Sequence, residues 1–257
     1  MYCTAIRDGL EVFVSGELPG YWSSRRWPKD PEEARQLQEK VKKVIRRAYI
    51  TKGFVQSLIG FFTVEKGDGD IRIVYDATKS GLNDAIWAPN FGLPNAASIL
   101  RMVGSESYFG DLDLGEMLLN YMLYPKLRQY AGIDTTELAA ELGIKLKEGQ
   151  HLIFCWERAL MGLKSSSYNC IRVYLWSEDI IKGGDRHDIS NPMRWDEVRL
   201  NLPGMTDYNP ALPKVYKFDI VNNKLAATIC SYVDDVRTAA ATKEECDNTS
   251  HAVAARK

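Results

Sequence analysis

The four-residue sequence Tyr232-Val233-Asp234-Asp235 constrains the fold more than any other feature of the chain. It follows an apolar, strand-forming stretch that begins at Leu225, and residues 236–241 are again typical of a strand. The pattern predicts a hairpin whose tip carries two adjacent carboxylates. Asp is common in turns, so a turn alone explains both residues. The alternative is a metal site, because like charges side by side repel unless a cation lies between them.

The chain is long enough and apolar enough to form a globular core. It has 257 residues, of which 45% are hydrophobic, and this corresponds to one large domain or two small ones. Its formal net charge of −1 argues against a nucleic-acid partner, since such proteins are often basic overall. Residues 40–52 weaken that argument because they are basic with no acidic residue between. A solvated helix face is the simpler explanation of this basic run.

The cysteines and histidines give no sign of a zinc site or of a nucleophile activated by histidine. The five cysteines are scattered and form no Cys-x-x-Cys pair, so reduced thiols are expected, and the three histidines are equally isolated. Residues 1–8 lack the features of a secretory signal, and no apolar run is long enough to span a membrane. These patterns predict an intracellular protein, in the cytoplasm or nucleus, with no membrane partner. A hard metal ion held by carboxylates remains open.

Helix and strand patterns alternate along the chain without a linker-like segment. Asp30-Pro31-Glu32-Glu33 has the cap, the proline and the acidic residues of a helix start, and helical spacing continues to about Tyr49. The segments predicted next are strands at 54–64 and 71–75 around a glycine turn, a strand at 108–112, and a helix at 115–130 interrupted by Pro125. The last segments predicted are an irregular insertion at 183–213, a hairpin formed by 215–220 and 224–233, a strand at 236–241, and a helix after the capping box 242–245.

A metal site at the Asp234-Asp235 pair needs a further carboxylate. Phosphoryl transfer to a sugar hydroxyl by the two-metal route uses a carboxylate cluster that holds two ions about 3.5 to 4 Å apart. One metal ion activates the hydroxyl and the other stabilises the leaving pyrophosphate. Residues 110–116, Gly-Asp-Leu-Asp-Leu-Gly-Glu, lie at the end of a predicted strand and offer Asp111 and Asp113 as candidates.

Four blocks in order along the chain resemble those of a reverse transcriptase of the retroelement type. Residues 66–83 are similar to the fingers block, residues 113–120 to the first catalytic block, residues 162–166 to the Gly-x-x-x-Ser turn, and residues 232–235 to the second catalytic block. Each block alone is a weak signal, whereas four blocks in the family's order are specific. The blocks extend over most of the chain.

The resemblance implies an α+β fold, the palm of a right-hand polymerase, in which an antiparallel sheet is backed by helices and carries a fingers subdomain. The expected organisation is an N-terminal extension at 1–30, fingers at 31–107 and 124–154, and a palm at 108–257 with the loop-rich insertion at 183–213. No thumb, RNase H or integrase segment follows in the sequence given, so thumb and RNase H segments are expected in a full-length polyprotein.

The implied activity is RNA-directed DNA polymerisation, in which a primer is extended with deoxynucleotides. Asp113, Asp234 and Asp235 are the expected catalytic residues, and with Leu114 they are expected to hold two Mg²⁺ ions, for which Mn²⁺ can substitute. The expected nucleotide-binding residues are Lys66, Arg72, Leu118, Gly162, Lys164 and Ser166. The expected partners are an RNA or DNA template with its primer, and deoxynucleoside triphosphates.

The choice between the two candidate aspartates rests on register within the family block. With Asp113 as ligand, the gate residue five positions on is Leu118, whereas Asp111 would place Glu116 there. The sequence therefore favours Asp113 and leaves Asp111 as a supporting or solvated acid. Because Leu118 is smaller than the family's usual aromatic gate, discrimination between sugars stays open. Two other functions stay open too, an inactive remnant that at most binds nucleic acid, and RNA-templated RNA synthesis.

Overall fold

The computed structural model describes residues 2–23, 27–181, 189, 191 and 193–255, and shows a mixed α+β protein with small antiparallel sheets. The chain forms two compact units. Unit 1 comprises Met1–Asn90 and Met117–Cys170, and unit 2 comprises Phe91–Glu116 and Ile171–Lys257. Among the described residues, no helix has both the length and the apolar character needed to cross a bilayer.

The helices and strands are short apart from three helices. The α-helices are α1 (Tyr2–Asp8), α2 (Pro31–Arg46), α3 (Leu82–Ala85), α4 (Ala96–Arg101), α5 (Pro125–Arg128), α6 (Lys164–Ile181) and α7 (Lys243–Ala255), with 3₁₀ helices at Met117–Asn120 and Thr136–Leu138. The strands are β1 (Phe13–Val14), β2 (Ile50–Thr51), β3 (Gly60–Lys66), β4 (Asp70–Asp76), β5 (Ile86–Trp87), β6 (Tyr108–Asp113) and β7 (Gly132–Asp134). They continue with β8 (Ile153–Trp156), β9 (Glu197–Leu200), β10 (Val215–Asp219), β11 (Lys224–Leu225), β12 (Thr228–Tyr232) and β13 (Asp235–Ala240).

Unit 1 contains an extensive hydrophobic core. The hairpin β3–β4, the sheet β2–β8–β7 and α2 contribute to it, and α2 buries Leu37 and Val41 there. Its most deeply buried large side chains also include Trp156, Leu127, Ile133 and Leu138. The predicted start of α2 is confirmed, since the Asp30 side chain accepts a hydrogen bond from the Glu33 amide at 2.8 Å. The helix ends at Arg46, slightly earlier than its spacing suggested.

Two lysines of the basic run in residues 40–52 are engaged in ion pairs. Lys40 lies 2.9 Å from Asp70 of β4, and Lys42 pairs with both Glu39 and Glu141. The pairs with Asp70 and Glu141 connect α2 to neighbouring segments of unit 1. The interpretation of the run as a helix face therefore accounts for Lys40 and Lys42 without a nucleic-acid partner.

Two predicted elements were wrong in extent. The strand expected to start at residue 54 begins at Gly60, and the helix expected over 115–130 is absent as a continuous element. Glu116 has a φ of 55°, which stops a right-handed helix, and only a 3₁₀ turn follows at Met117–Asn120. Pro125 is the first residue of α5 and does not interrupt a helix, because proline lacks an amide hydrogen and fits the first helical position.

Unit 2 is organised around the antiparallel sheet β12–β13–β6. Along β13 the side chains alternate, with Val236, Thr238 and Ala240 buried. Thr238 contacts Ser250 of α7 at 2.7 Å between hydroxyl oxygens, so α7 covers this buried face. The predicted start of α7 is confirmed, since the Glu245 amide donates to the Thr242 hydroxyl at 3.2 Å, whereas the Glu245 carboxylate pairs with Lys224 and does not complete the predicted capping box.

The second sheet of unit 2, β11–β10–β9, corrects two further predictions. The second strand of the predicted hairpin was expected to continue to residue 233, but within that stretch only β11 pairs with β10. The chain then continues into β12, which belongs to the other sheet of unit 2. The segment 183–213, predicted to be irregular, contains β9, although residues 183–188, 190 and 192 lie outside the described part. Arg194 anchors this segment by pairing with Asp196 and with the fully buried Asp219. Such a long-range pair leaves no local sequence pattern.

Removal of the α2 cap tests the helix start that the sequence predicts. Asp30→Ala should lower the free energy of unfolding by about 1 kcal/mol, because the Glu33 amide loses its acceptor. Asp30→Asn should retain most of the stability because asparagine also accepts this hydrogen bond. Urea denaturation followed by far-UV circular dichroism measures both variants. Equal losses in the two variants would contradict the cap.

Candidate active site

The turn between β12 and β13 has an unusual backbone. Tyr232 pairs with Asp235, so Val233 and Asp234 form a two-residue loop. Val233 has a φ of 56°, whereas Asp234 is not in the positive-φ region, and this combination is the signature of a type II′ turn. Glycine usually occupies the first loop position, and a β-branched residue there is strained. Strain of this kind concentrates at functional sites.

The third predicted acid lies directly beside this turn. Asp113 is the last residue of β6 and is paired with Asp235 of β13. The Leu114 amide donates to the Asp234 carbonyl oxygen at 2.8 Å. Because hydrogen-bonded and non-hydrogen-bonded pairs alternate, Asp113 and Asp235 form a non-hydrogen-bonded pair, in which Cα atoms are about 4.5 Å apart. The structure thus brings Asp113, Leu114, Asp234 and Asp235 together in unit 2.

One cation shares the exposed face of the sheet with these acids. Arg237 of β13 is paired with Asp111 of β6, and its guanidinium donates to both carboxylate oxygens at 2.7 and 3.0 Å. The guanidinium lowers the pKa of Asp111, and the carboxylate raises the pKa of Arg237. This pair was not predicted from the sequence, although charged residues alternate at 111, 113, 235 and 237, and such alternation indicates charged pairs across neighbouring strands.

The predicted ligands have no compensating cation of their own. Asp113, Asp234 and Asp235 are exposed, and none of them has an ion-pair partner among the described residues. Carboxylate oxygens are the donors that hard cations such as Mg²⁺ prefer. In the described part of the chain, no three His, Cys, Asp or Glu side chains converge as a metal cluster. Asp113 and Asp235, which lie opposite each other, therefore fit a divalent ion by charge and donor type, and a site that also includes Asp234 needs the side chains to turn towards one another.

The predicted triphosphate residues lie on one face of the hairpin β3–β4 in unit 1. Lys66 is paired with Asp70 and Val64 with Arg72, so Lys66 and Arg72 are diagonal neighbours on the exposed face. Asp70 is already bound by Lys40, whose ammonium lowers the pKa of that carboxyl. Within the described residues neither Lys66 nor Arg72 makes an ion pair, which leaves both cations available to a phosphate chain.

The predicted Gly-x-x-x-Ser turn packs against β4 in the same unit. Gly162 has a φ of 94°, and a Cβ there would overlap the carbonyl oxygen of Tyr75. Asn83 bridges the turn by donating to the Gly162 carbonyl and accepting from the Lys164 amide, both at 2.8 Å. The glycine is therefore required by the approach of two backbone segments, and its contact with a nucleotide stays a prediction. The bridging role of Asn83 was not predicted.

The remaining predicted nucleotide-binding residues also belong to unit 1. The Lys164 ammonium donates to the Ile86 carbonyl at 3.0 Å. Ser166 is buried, and its hydroxyl has no hydrogen-bond partner among the described residues. Leu118 is half-buried in the 3₁₀ helix. Direct contact of these three side chains with a nucleotide stays a prediction.

Comparison with known proteins supports the fold. No protein-family model matches the chain, and no curated protein matches its sequence. The structure is similar to the crystal structure of the native protease-reverse transcriptase of prototype foamy virus, with a TM-score of 0.57 and 15% sequence identity. The similarity covers 93% of this chain and 24% of the viral chain, so this chain spans about a quarter of the matched one. A likeness at this identity shows that the two share a fold.

The strain at Val233 can be measured through stability. Val233→Gly should raise the free energy of unfolding by about 1 kcal/mol, because the strain relieved exceeds the added backbone entropy of glycine. Val236→Gly is the matched control on the same hairpin, and it should destabilise by more than about 2 kcal/mol because Val236 is buried. Chemical denaturation measures both. A clear destabilisation by Val233→Gly would show that the turn is unstrained.

Proposed function

We propose that the chain is the fingers and palm core of an RNA-directed DNA polymerase. The observation that carries the proposal is the pairing of Asp113 with Asp235 beside the strained turn at Val233. This pairing brings two distant carboxylates, 122 positions apart in the sequence, to one exposed edge. The fold shared with a retroviral protease-reverse transcriptase supports it. The partners would be an RNA or DNA template with its primer, and deoxynucleoside triphosphates.

The acids would hold the metal ions that this chemistry requires. Asp113 and Asp234 would be the principal ligands, with Asp235 and Leu114 beside them, for two Mg²⁺ ions or for Mn²⁺ in their place. Bound divalent ions lower the pKa of a primer hydroxyl and stabilise a leaving pyrophosphate. The contribution of the chain is to fix Asp113 and Asp235 on paired strands, where the ladder sets their spacing, and to hold Asp234 in the tight turn beside them. Strand-borne ligands are held more precisely than ligands on loops.

The nucleotide would be bound by residues of unit 1. Lys66 and Arg72 would contact the triphosphate, since Arg pairs with phosphate oxygens in a bidentate manner and Lys acts as a compact charge. Leu118 would be the gate next to the sugar. Gly162, Lys164 and Ser166 would act through the shape of the turn that Asn83 holds.

Replacing Asp234 with a neutral side chain tests the proposed polymerase activity. Asp234→Asn should reduce primer extension on an RNA template by roughly 100-fold or more, because a charge-stabilising group of the transition state is lost. The fold should be unchanged because Asp234 is exposed. Asp207→Asn, at another exposed aspartate of unit 2, is the matched control and should retain activity. Gel-based primer extension with Mg²⁺ or Mn²⁺ and thermal melting provide the two measurements.

The same assay separates the alternatives. Retained activity in Asp234→Asn would overturn the assignment. Salt-sensitive binding of template and primer without incorporation by the unsubstituted chain would support an inactive remnant. Preferential incorporation of ribonucleotides would support RNA-templated RNA synthesis.

The role of the hairpin cations is tested through the nucleotide concentration dependence. Arg72→Ala should raise the KM for deoxynucleotides by roughly tenfold or more, because charge-assisted hydrogen bonds to the triphosphate are lost. Lys66→Ala should act in the same direction. Lys145→Ala, at an exposed lysine elsewhere in unit 1, is the control. Steady-state extension kinetics measure the KM, and an unchanged KM in Arg72→Ala would remove the hairpin from the nucleotide site.

A further inference from the structure

Four charged side chains form two opposed pairs on the exposed face of the sheet in unit 2. Asp113 is opposite Asp235, and Asp111 is opposite Arg237. Because successive residues on one face are two positions apart, Arg237 is the neighbour of Asp235 along β13 and the diagonal neighbour of Asp113. A long arginine side chain at that position reaches either acid.

The Arg237 side chain nevertheless points towards Asp111 and not towards Asp113 or Asp235. Its guanidinium makes two parallel hydrogen bonds with Asp111, at 2.7 and 3.0 Å, which is the strongest geometry for such a pair. The guanidinium also lies 5.9 Å from the centre of the Phe109 ring, further along β6 and away from Asp113. Both contacts hold the positive charge at a distance from the opposed acids.

We propose that Asp111 is a positioning residue that keeps Arg237 from pairing with Asp113 and Asp235. This inference rests on the proposed function, in which those two acids, together with Asp234, help to hold divalent ions. An arginine paired with them would occupy the carboxylate oxygens and cancel the charge that attracts the ion. By binding Arg237, Asp111 thus leaves the carboxylates of Asp113 and Asp235 available to a metal ion.

A double-mutant cycle on metal affinity tests the proposal. Mn²⁺ binding to the full chain, without nucleic acid, is measured by the loss of the free-ion electron paramagnetic resonance signal. Asp111→Asn should weaken binding about fivefold, which corresponds to the upper range of an exposed ion pair between the released Arg237 and an acid. In a chain that already carries Arg237→Gln, adding Asp111→Asn should change the affinity less than twofold, because no arginine is left to release.

The outcomes separate the positioning role from a simple charge effect. An equal loss from Asp111→Asn in both backgrounds would overturn the proposal, since it would show that Asp111 acts only through its own charge. No loss in either background would also overturn it. Thermal melting of each variant checks that the sheet is intact, and rescue by Arg237→Gln cannot arise from an unfolded protein.

A separate control distinguishes failure of this inference from failure of the proposed function. The variant Asp113→Asn with Asp235→Asn should abolish the Mn²⁺ binding of the unsubstituted chain. If binding persists, the metal site lies elsewhere and both proposals fall. If binding is abolished and the cycle shows no coupling, the metal site stands and only the role of Asp111 is wrong.

Discussion

The pairing of β6 with β13 is the interaction on which the candidate site depends. Its register places Asp113 opposite Asp235, and the bond from the Leu114 amide to the Asp234 carbonyl extends the ladder to the turn. A slip of one residue would move every side chain of β6 to the other face of the sheet. The acids would then be separated, and Leu112 would be exposed in place of Asp113. Backbone pairing therefore determines the chemistry of this edge.

Packing on the opposite face fixes that register. A Cβ at Gly110 would overlap the Ser250 hydroxyl of α7 and lie 2.7 Å from the Thr238 hydroxyl. Gly110 is paired with Thr238, so the close approach of α7 is possible only where these two residues meet. The hydroxyl contact between Thr238 and Ser250, at 2.7 Å, adds a polar constraint inside a buried layer. A buried polar contact specifies one alignment, whereas apolar packing alone tolerates several.

The sequence predicted the parts of the fold that local chemistry determines. The cap at Asp30, the cap at Thr242 and the hairpin at Asp234 each depend on residues within a few positions of one another. The position of Asp113 at the end of a strand was also predicted from its neighbours, whereas its role as a metal ligand stays a prediction. Strand β9 was not predicted, because the ion pair that anchors this segment joins Arg194 to the buried Asp219, which is far away in the sequence. A turn-rich composition does not reveal such a partner.

The contacts at the candidate site that were not predicted also join residues far apart in the sequence. The pair of Asp111 and Arg237 joins residues 126 positions apart, and only the register of two strands brings them together. The bridge from Asn83 to the turn at Gly162 depends in the same way on how α3 and the turn are placed. Sequence patterns predict which residues carry charge or hydrogen-bonding groups. Their partners follow from the tertiary structure.

The composition of the turn at 232–235 argues for function over a purely structural role. A type II′ turn with glycine in the first loop position would avoid strain of about 1 to 3 kcal/mol at Val233. Asparagine in place of Asp235 would remove the repulsion between two carboxylates that are directly opposite. A turn that only connects two strands gains nothing from either feature. A site that binds a cation would gain from the opposed carboxylates, because the paired strands hold negative charge at one exposed edge and the ion would offset the repulsion.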